Sequence, residues 1–118
     1  MEVATRREGD IVIADLAGRL VLGQPQETLR ETMNGLLAAD HKKIVLNVSD
    51  LARLDSTGVG ELVACLRSAR EADARLVLLQ VKDTVRRILD VSQVLPLFET
   101  FDSEAAARMA TSLSPRNV

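Results

Sequence analysis

The apolar positions of this chain change their period several times, and each change marks an element. Residues 2–7 and 10–16 read as short strands joined by the turn signal Glu8-Gly9-Asp10, which predicts a hairpin. Ile11-Val12-Ile13 is apolar without a break, as expected of a strand covered on both faces. Ala17-Gly18-Arg19-Leu20 is expected to leave that strand, and residues 23–25 break the chain again. From Pro25, a residue suited to a first helical turn, Leu29, Met33, Leu36 and Leu37 fall on one helical face.

Ile44-Val45-Leu46-Asn47-Val48 is the strongest strand signal, β-branched, apolar and bounded by polar residues, and is expected at the centre of a sheet. A helical run starting near Val59 follows, with Val59, Leu62, Val63, Leu66 and Ala69 at helical spacing as far as about Ala72. Residues 76–81 predict another buried strand, residues 83–90 a short helix with Val85, Ile88 and Leu89 inward, and residues 97–101 a last strand. Ser103 is placed to cap a final alanine-rich helix with Glu104 in its first turn. Residues 112–118 are expected to fray, which leaves residues 1–111 as a single domain.

Strands that alternate with helices are expected to run parallel with right-handed crossovers. The prediction is therefore an α/β fold: a mixed sheet of four to five strands, an N-terminal hairpin with the remainder largely parallel, covered by about four helices. Composition agrees with it. The apolar fraction is 47%, supplied by Leu, Val, Ile and Ala with Phe98 and Phe101 as the only aromatics, and aliphatic strands of this kind suit a sheet buried under helices. At 118 residues one core is expected.

Charge and cysteine content narrow the function classes. The net charge is −2 and the basic residues are scattered, with no basic stripe interleaved with aromatics, so no nucleic-acid partner is expected. Cys65 is the only cysteine, which rules out an intrachain disulfide and points to a reducing compartment; its apolar neighbours mark it as a packing residue. No apolar run reaches the roughly 20 residues that span a bilayer, so a cytoplasmic location without membrane association is expected. His41 lies in a polar connection, where a solvated loop residue is expected rather than a ligand or base.

Candidate chemistry concentrates in Asp55-Ser56-Thr57-Gly58-Val59-Gly60, between the central strand and the next helix. In open α/β sheets the loop leaving the carboxyl end of a strand is the usual place for function. Two hydroxyls sit there between a carboxylate and two glycines, where the first free N–H groups of a helix favour negative charge. Ser56 or Thr57 is expected to cap the helix, and Gly58 and Gly60 to let the backbone bend and another molecule approach. The same residues also read as no more than a helix start, although a cap needs one hydroxyl and two are present. Phosphorylation would add a charge of about −1.5 to −2 here. The amide dipoles favour that charge and Asp55 repels it, so the expected effect is on a bound partner rather than on the fold.

No enzyme constellation competes. The glycines lack the third member of a dinucleotide fingerprint and the Gly-Lys-Ser/Thr of a P-loop, and Gly-x-Ser-x-Gly is absent. Metal ligands at paired spacing are missing. No catalytic residue, metal ion or cofactor is therefore expected. A receiver-like phosphoacceptor is an alternative, with Lys82 after the next strand, but Asn47 stands where the acceptor carboxylate belongs. A constitutive interaction or small-ligand module remains a third reading.

The run Asp55-Ser56-Thr57-Gly58-Val59-Gly60-Glu61-Leu62 after Ile44-Val45-Leu46-Asn47-Val48, with Gly18-Arg19-Leu20 upstream, resembles the STAS domain of bacterial anti-sigma factor antagonists. The resemblance runs over residues 3–109. It implies a non-enzymatic switch in which Ser56 is phosphorylated by an anti-sigma factor that is itself a serine kinase of the histidine-kinase-like ATPase type. The unphosphorylated form would sequester that partner, and a PP2C-type phosphatase would reset the modified form. Thr57 matches the position of a secondary hydroxyl, and Asp55 matches the preceding acid of the partner surface. The remaining partner-binding positions implied are Gly58, Val59, Gly60, Gly18 and Arg19. Family members commonly read Gly-x-Leu-Asp where this chain has Gly18-Arg19-Leu20-Val21, so one carboxylate of the usual surface is missing. Other STAS domains act in different signalling complexes or on anion transporters, the latter disfavoured by the lack of a membrane portion.

Overall fold

The computed structural model describes residues 1–23 and 27–111. Strands β1 (Glu2–Glu8) and β2 (Ile11–Leu20) form the expected antiparallel hairpin, with Glu8 opposite Ile11 across the Gly9-Asp10 turn. Helix α1 (Glu27–Ala38) leads to β3 (Lys43–Leu54), and α2 (Ser56–Glu71) to β4 (Arg75–Leu79). Helix α3 (Asp83–Val91), a 3-10 turn at Leu95–Leu97, β5 (Glu99–Phe101) and α4 (Glu104–Thr111) complete the order. The sheet runs β1-β2-β3-β4-β5, with β3 in the middle and every pairing after the hairpin parallel.

Alternation along the inner strands divides the core between the two faces. Ile44, Leu46 and Leu78 pack with Leu29 and Met33 of α1, Leu62 and Leu66 of α2 and Leu89 of α3. Val45, Val77 and Leu79 point the other way, with Ile13, to meet Ala107 of α4. Ile11, Val12 and Ile13 are all buried, as a strand covered on both faces requires.

The second face is held by a charged cluster. Arg6 Nε lies 2.8 Å from Asp15 Oδ2, and Arg6 Nη2 lies 2.7 Å from Glu104 Oε1, which ties β1 and β2 to the first turn of α4. Asn47 Nδ2 donates to Asp15 Oδ1 at 2.8 Å. Hydrogen bonds from Arg6 hold both carboxyls below their usual range. A carboxyl with a depressed folded-state pKa contributes stability that is present above its unfolded value and is lost as pH falls. Melting curves should therefore show stability falling below about pH 4.5, with a shallower fall in Arg6→Ala; equal steepness in that variant would remove the cluster as the cause.

Several boundaries differ from the sequence-based expectation. Residues 17–20 do not leave the strand; they stay in β2 and pair with residues 50–54 of β3. Gly18 makes this possible by adopting φ +102°, where a Cβ would also come within 3.3 Å of Met1 Cα. Strand β3 runs on past Val48 because two register shifts let it accommodate extra residues while Leu51 and Leu54 stay buried. Strand β4 stops at Leu79 because Gln80 turns into the left-handed region at φ +58°. The 3-10 turn around Pro96 delays β5 to Glu99. Ser103 caps α4 as expected, its Oγ accepting from the Ala106 N–H at 3.1 Å. Pro25 and the 112–118 tail lie outside the described residues.

Candidate functional site

The extended β3 delivers Asp55 to the start of α2 in a β conformation, φ −118° and ψ −173°, that suits a helix N-cap. Asp55 itself is the cap: its Oδ1 accepts from the Gly58 N–H at 2.9 Å. The expectation that Ser56 or Thr57 would cap is therefore corrected. Both hydroxyl residues are the first two of the helix, which begins at Ser56 and not near Val59. A carboxylate takes the cap because it carries full charge toward the positive helix end and has a second oxygen for another donor.

That second oxygen reaches across the site. Asp55 Oδ2 accepts from the Leu22 N–H at 2.8 Å, so one carboxylate joins the loop after β2 to the start of α2. These hydrogen bonds, the one from Leu22 foremost, hold the Asp55 carboxyl below its usual range. Sequence reasoning missed Leu22, because a main-chain N–H leaves no mark in a residue pattern.

The two glycines have different uses, and neither bends the chain. Neither has a positive φ. Gly58 is buried against the end of β2: a Cβ there would stand 2.0 Å from the Leu20 carbonyl oxygen and 2.7 Å from Leu54 Cδ1. The close approach is thus internal rather than to another molecule. Gly60 is exposed and would meet nothing within 4 Å. Val59 is a buried core residue that anchors the helix start.

Ser56 is exposed and Thr57 half-buried. Residues four apart share a helix face, so Ser56 sits above the bare backbone of Gly60, while Thr57 sits above Glu61. Glu61 is paired with Arg30 of α1 at 2.6 Å. Arg19, near the end of β2, lines a groove with Asp55, and Val21 lines it too. Gly18 belongs to the neighbouring depression beside Met1 and Ala17. The structure therefore gathers residues 55–60 and Arg19 around one end of the sheet, with Gly18 at its margin.

Cys65 is buried in α2, and burial pushes its thiol up to about 12, so it is protonated at neutral pH and is no nucleophile. Among the described residues no cluster of His, Cys, Asp or Glu could hold a metal ion. No helix among them is long and apolar enough to cross a membrane.

Known proteins share this fold. BtrV of Bordetella bronchiseptica, named by inference as an anti-sigma factor antagonist, is 26% identical over 117 residues, covering 98% of this chain and all of that protein. The phosphorylated form of the Bacillus cell fate determinant SpoIIAA superposes with a TM-score of 0.70 at 22% identity, over 92% of this chain and 99% of that one. An anti-sigma factor antagonist from Mycobacterium paratuberculosis gives a TM-score of 0.82 at 13% identity, over 95% and 94% of the two chains. At these identities the superpositions establish the shared fold. The STAS domain pattern matches residues 2–107, from the first strand to the middle of the last helix. With its sequence matched over that span and its five-stranded mixed sheet in agreement, this chain belongs to the STAS domain family.

Proposed function

We propose that the chain is an anti-sigma factor antagonist, a non-enzymatic binding module of the cytoplasm switched at Ser56. With Ser56 unphosphorylated it sequesters an anti-sigma factor of the serine-kinase, histidine-kinase-like ATPase type. That partner phosphorylates Ser56 and is released, and a PP2C-type phosphatase restores the binding form.

The observation that carries this reading is the occupancy of the helix end. The Asp55 carboxylate already takes the Gly58 N–H, so a phosphate on the exposed Ser56 cannot be absorbed by that donor and stays directed outward. It would lie beside a carboxylate, where the repulsion falls on whatever packs against the loop. The neighbours also favour Ser56 over Thr57. A phosphate on Thr57 would meet Glu61 one turn on, whereas Gly60 offers Ser56 no opposing side chain.

Incubating the chain with the kinase-type anti-sigma factors of its own organism and ATP, then mapping phosphate by mass spectrometry, tests the assignment. The expected result is a single modification at Ser56 that is lost in Ser56→Ala. Absence of phosphate from both Ser56 and Thr57 would sink it.

A further inference from the structure

Beside Asp55 lies a groove of about 460 Å³ between the carboxyl ends of β2 and β3 and helix α3. Leu22, Leu54 and Ile88 supply apolar lining, and Thr84 adds a hydroxyl. Leu22 is 76% exposed, yet its main chain is fixed to Asp55. A large apolar side chain is thus held in water at the lip of the groove.

Two arginines share this lining. Arg19 and Arg53 are direct neighbours in the β2–β3 ladder, and both are exposed. Like charges opposite one another on adjacent strands repel. Among the described residues neither has an ion pair or a side-chain hydrogen bond, and of the unpaired arginines they are the two that stand opposite each other on adjacent strands. Among the described residues Asp55 contributes the one carboxylate on the lining, and its oxygens already accept from the Leu22 and Gly58 N–H groups. A carboxylate brought in from outside would relieve the Arg19–Arg53 repulsion and gain charge-assisted hydrogen bonds.

We infer that this groove receives an acidic-apolar segment of the protein partner: an Asp or Glu side chain held between Arg19 and Arg53, next to an aliphatic or aromatic side chain packed on Leu22, Leu54 and Ile88. Given that the chain binds an anti-sigma factor, as proposed above, the groove selects that partner by charge. The Ser56 loop then governs release, and the groove governs identity.

Calorimetric titration of the full chain against the kinase-type anti-sigma factors of its own organism, at low and high salt, tests both statements. Arg19→Glu/Arg53→Glu should weaken binding by roughly 30-fold or more, because it places carboxylate against carboxylate. Arg19→Ala/Arg53→Ala should weaken it by about 10-fold and flatten its salt dependence, and Arg19→Lys/Arg53→Lys should stay within about 5-fold of wild type. Melting temperatures should be unchanged or slightly higher in the alanine pair, which loses the repulsion. If the wild type and both the glutamate and alanine pairs bind equally while Ser56→Asp releases the partner, the groove assignment falls and the antagonist reading stands. If the wild type does not bind at all, the antagonist reading falls and the groove assignment with it. Chemical-shift changes at Arg19 and Arg53 on adding inorganic phosphate, with partner affinity unaltered in the pairs, would assign the groove to a small anion and overturn the inference.

Discussion

Gly58→Ala should melt about 10 °C below the wild-type chain, while Gly60→Ala should melt above it. In an ordinary helix both changes stabilise, by up to about 1 kcal/mol each, since alanine is the better helix former. At Gly58 the new methyl would stand 2.0 Å from the Leu20 carbonyl oxygen. That oxygen belongs to a main chain fixed in the β2–β3 ladder, where Leu20 pairs with Leu54, so it cannot turn aside as a flexible side chain would. Overpacking of this kind costs roughly 3 kcal/mol or more, which exceeds the propensity gain and leaves a net loss of about 2–3 kcal/mol. Gly60 has open space and keeps the gain. Thermal denaturation followed by circular dichroism reads both. A neutral Gly58→Ala would mean that α2 does not seat against the end of β2. The same contact fixes where Ser56 points, so Gly58→Ala is also expected to slow its phosphorylation.

Ser56→Asp should lower affinity for the anti-sigma factor by about 100-fold, while Ser56→Ala stays within roughly 3-fold of wild type. The physical cause is a carboxylate placed beside Asp55 in a surface that a partner must desolvate. Like-charge juxtaposition of this kind costs several kcal/mol, and each 1.4 kcal/mol is about tenfold in affinity. Stability should change by no more than about 0.5 kcal/mol, since the position is exposed and an acid in a first helical turn is tolerated. The combination is the signature: binding lost, fold retained. Titration calorimetry and melting curves on the same preparations measure it, and equal binding by both variants would make the chain a constitutive interaction module.

How much was legible beforehand differs from one residue to the next. Ile44-Val45-Leu46-Asn47-Val48 announced the middle strand because burial on both faces leaves a run of aliphatic residues that only Asn47 interrupts. The amphipathic repeat from Val59 announced α2, since one buried stripe is enough to mark a helix. Asp55-Ser56-Thr57-Gly58-Val59-Gly60 stood out as a helix end with more hydroxyls than a cap needs. Residues 17–20 misled, because glycine and arginine there read as a break, whereas Gly18 in a positive-φ conformation and the shifts in β3 keep the ladder intact.

By itself, then, the sequence determined the alternation of strands and helices, the aliphatic core and the segment on which function is proposed to rest, because periodicity and residue type report burial and local conformation directly. Only the tertiary structure decided that Asp55 and neither hydroxyl caps α2, that its other oxygen secures Leu22, that Gly58 is required by a carbonyl thirty-eight positions away in the chain, and that Arg19 faces Arg53. Each of these depends on main-chain groups or strand register brought together across the sheet. Neither a carbonyl oxygen nor a register leaves any pattern in the order of side chains.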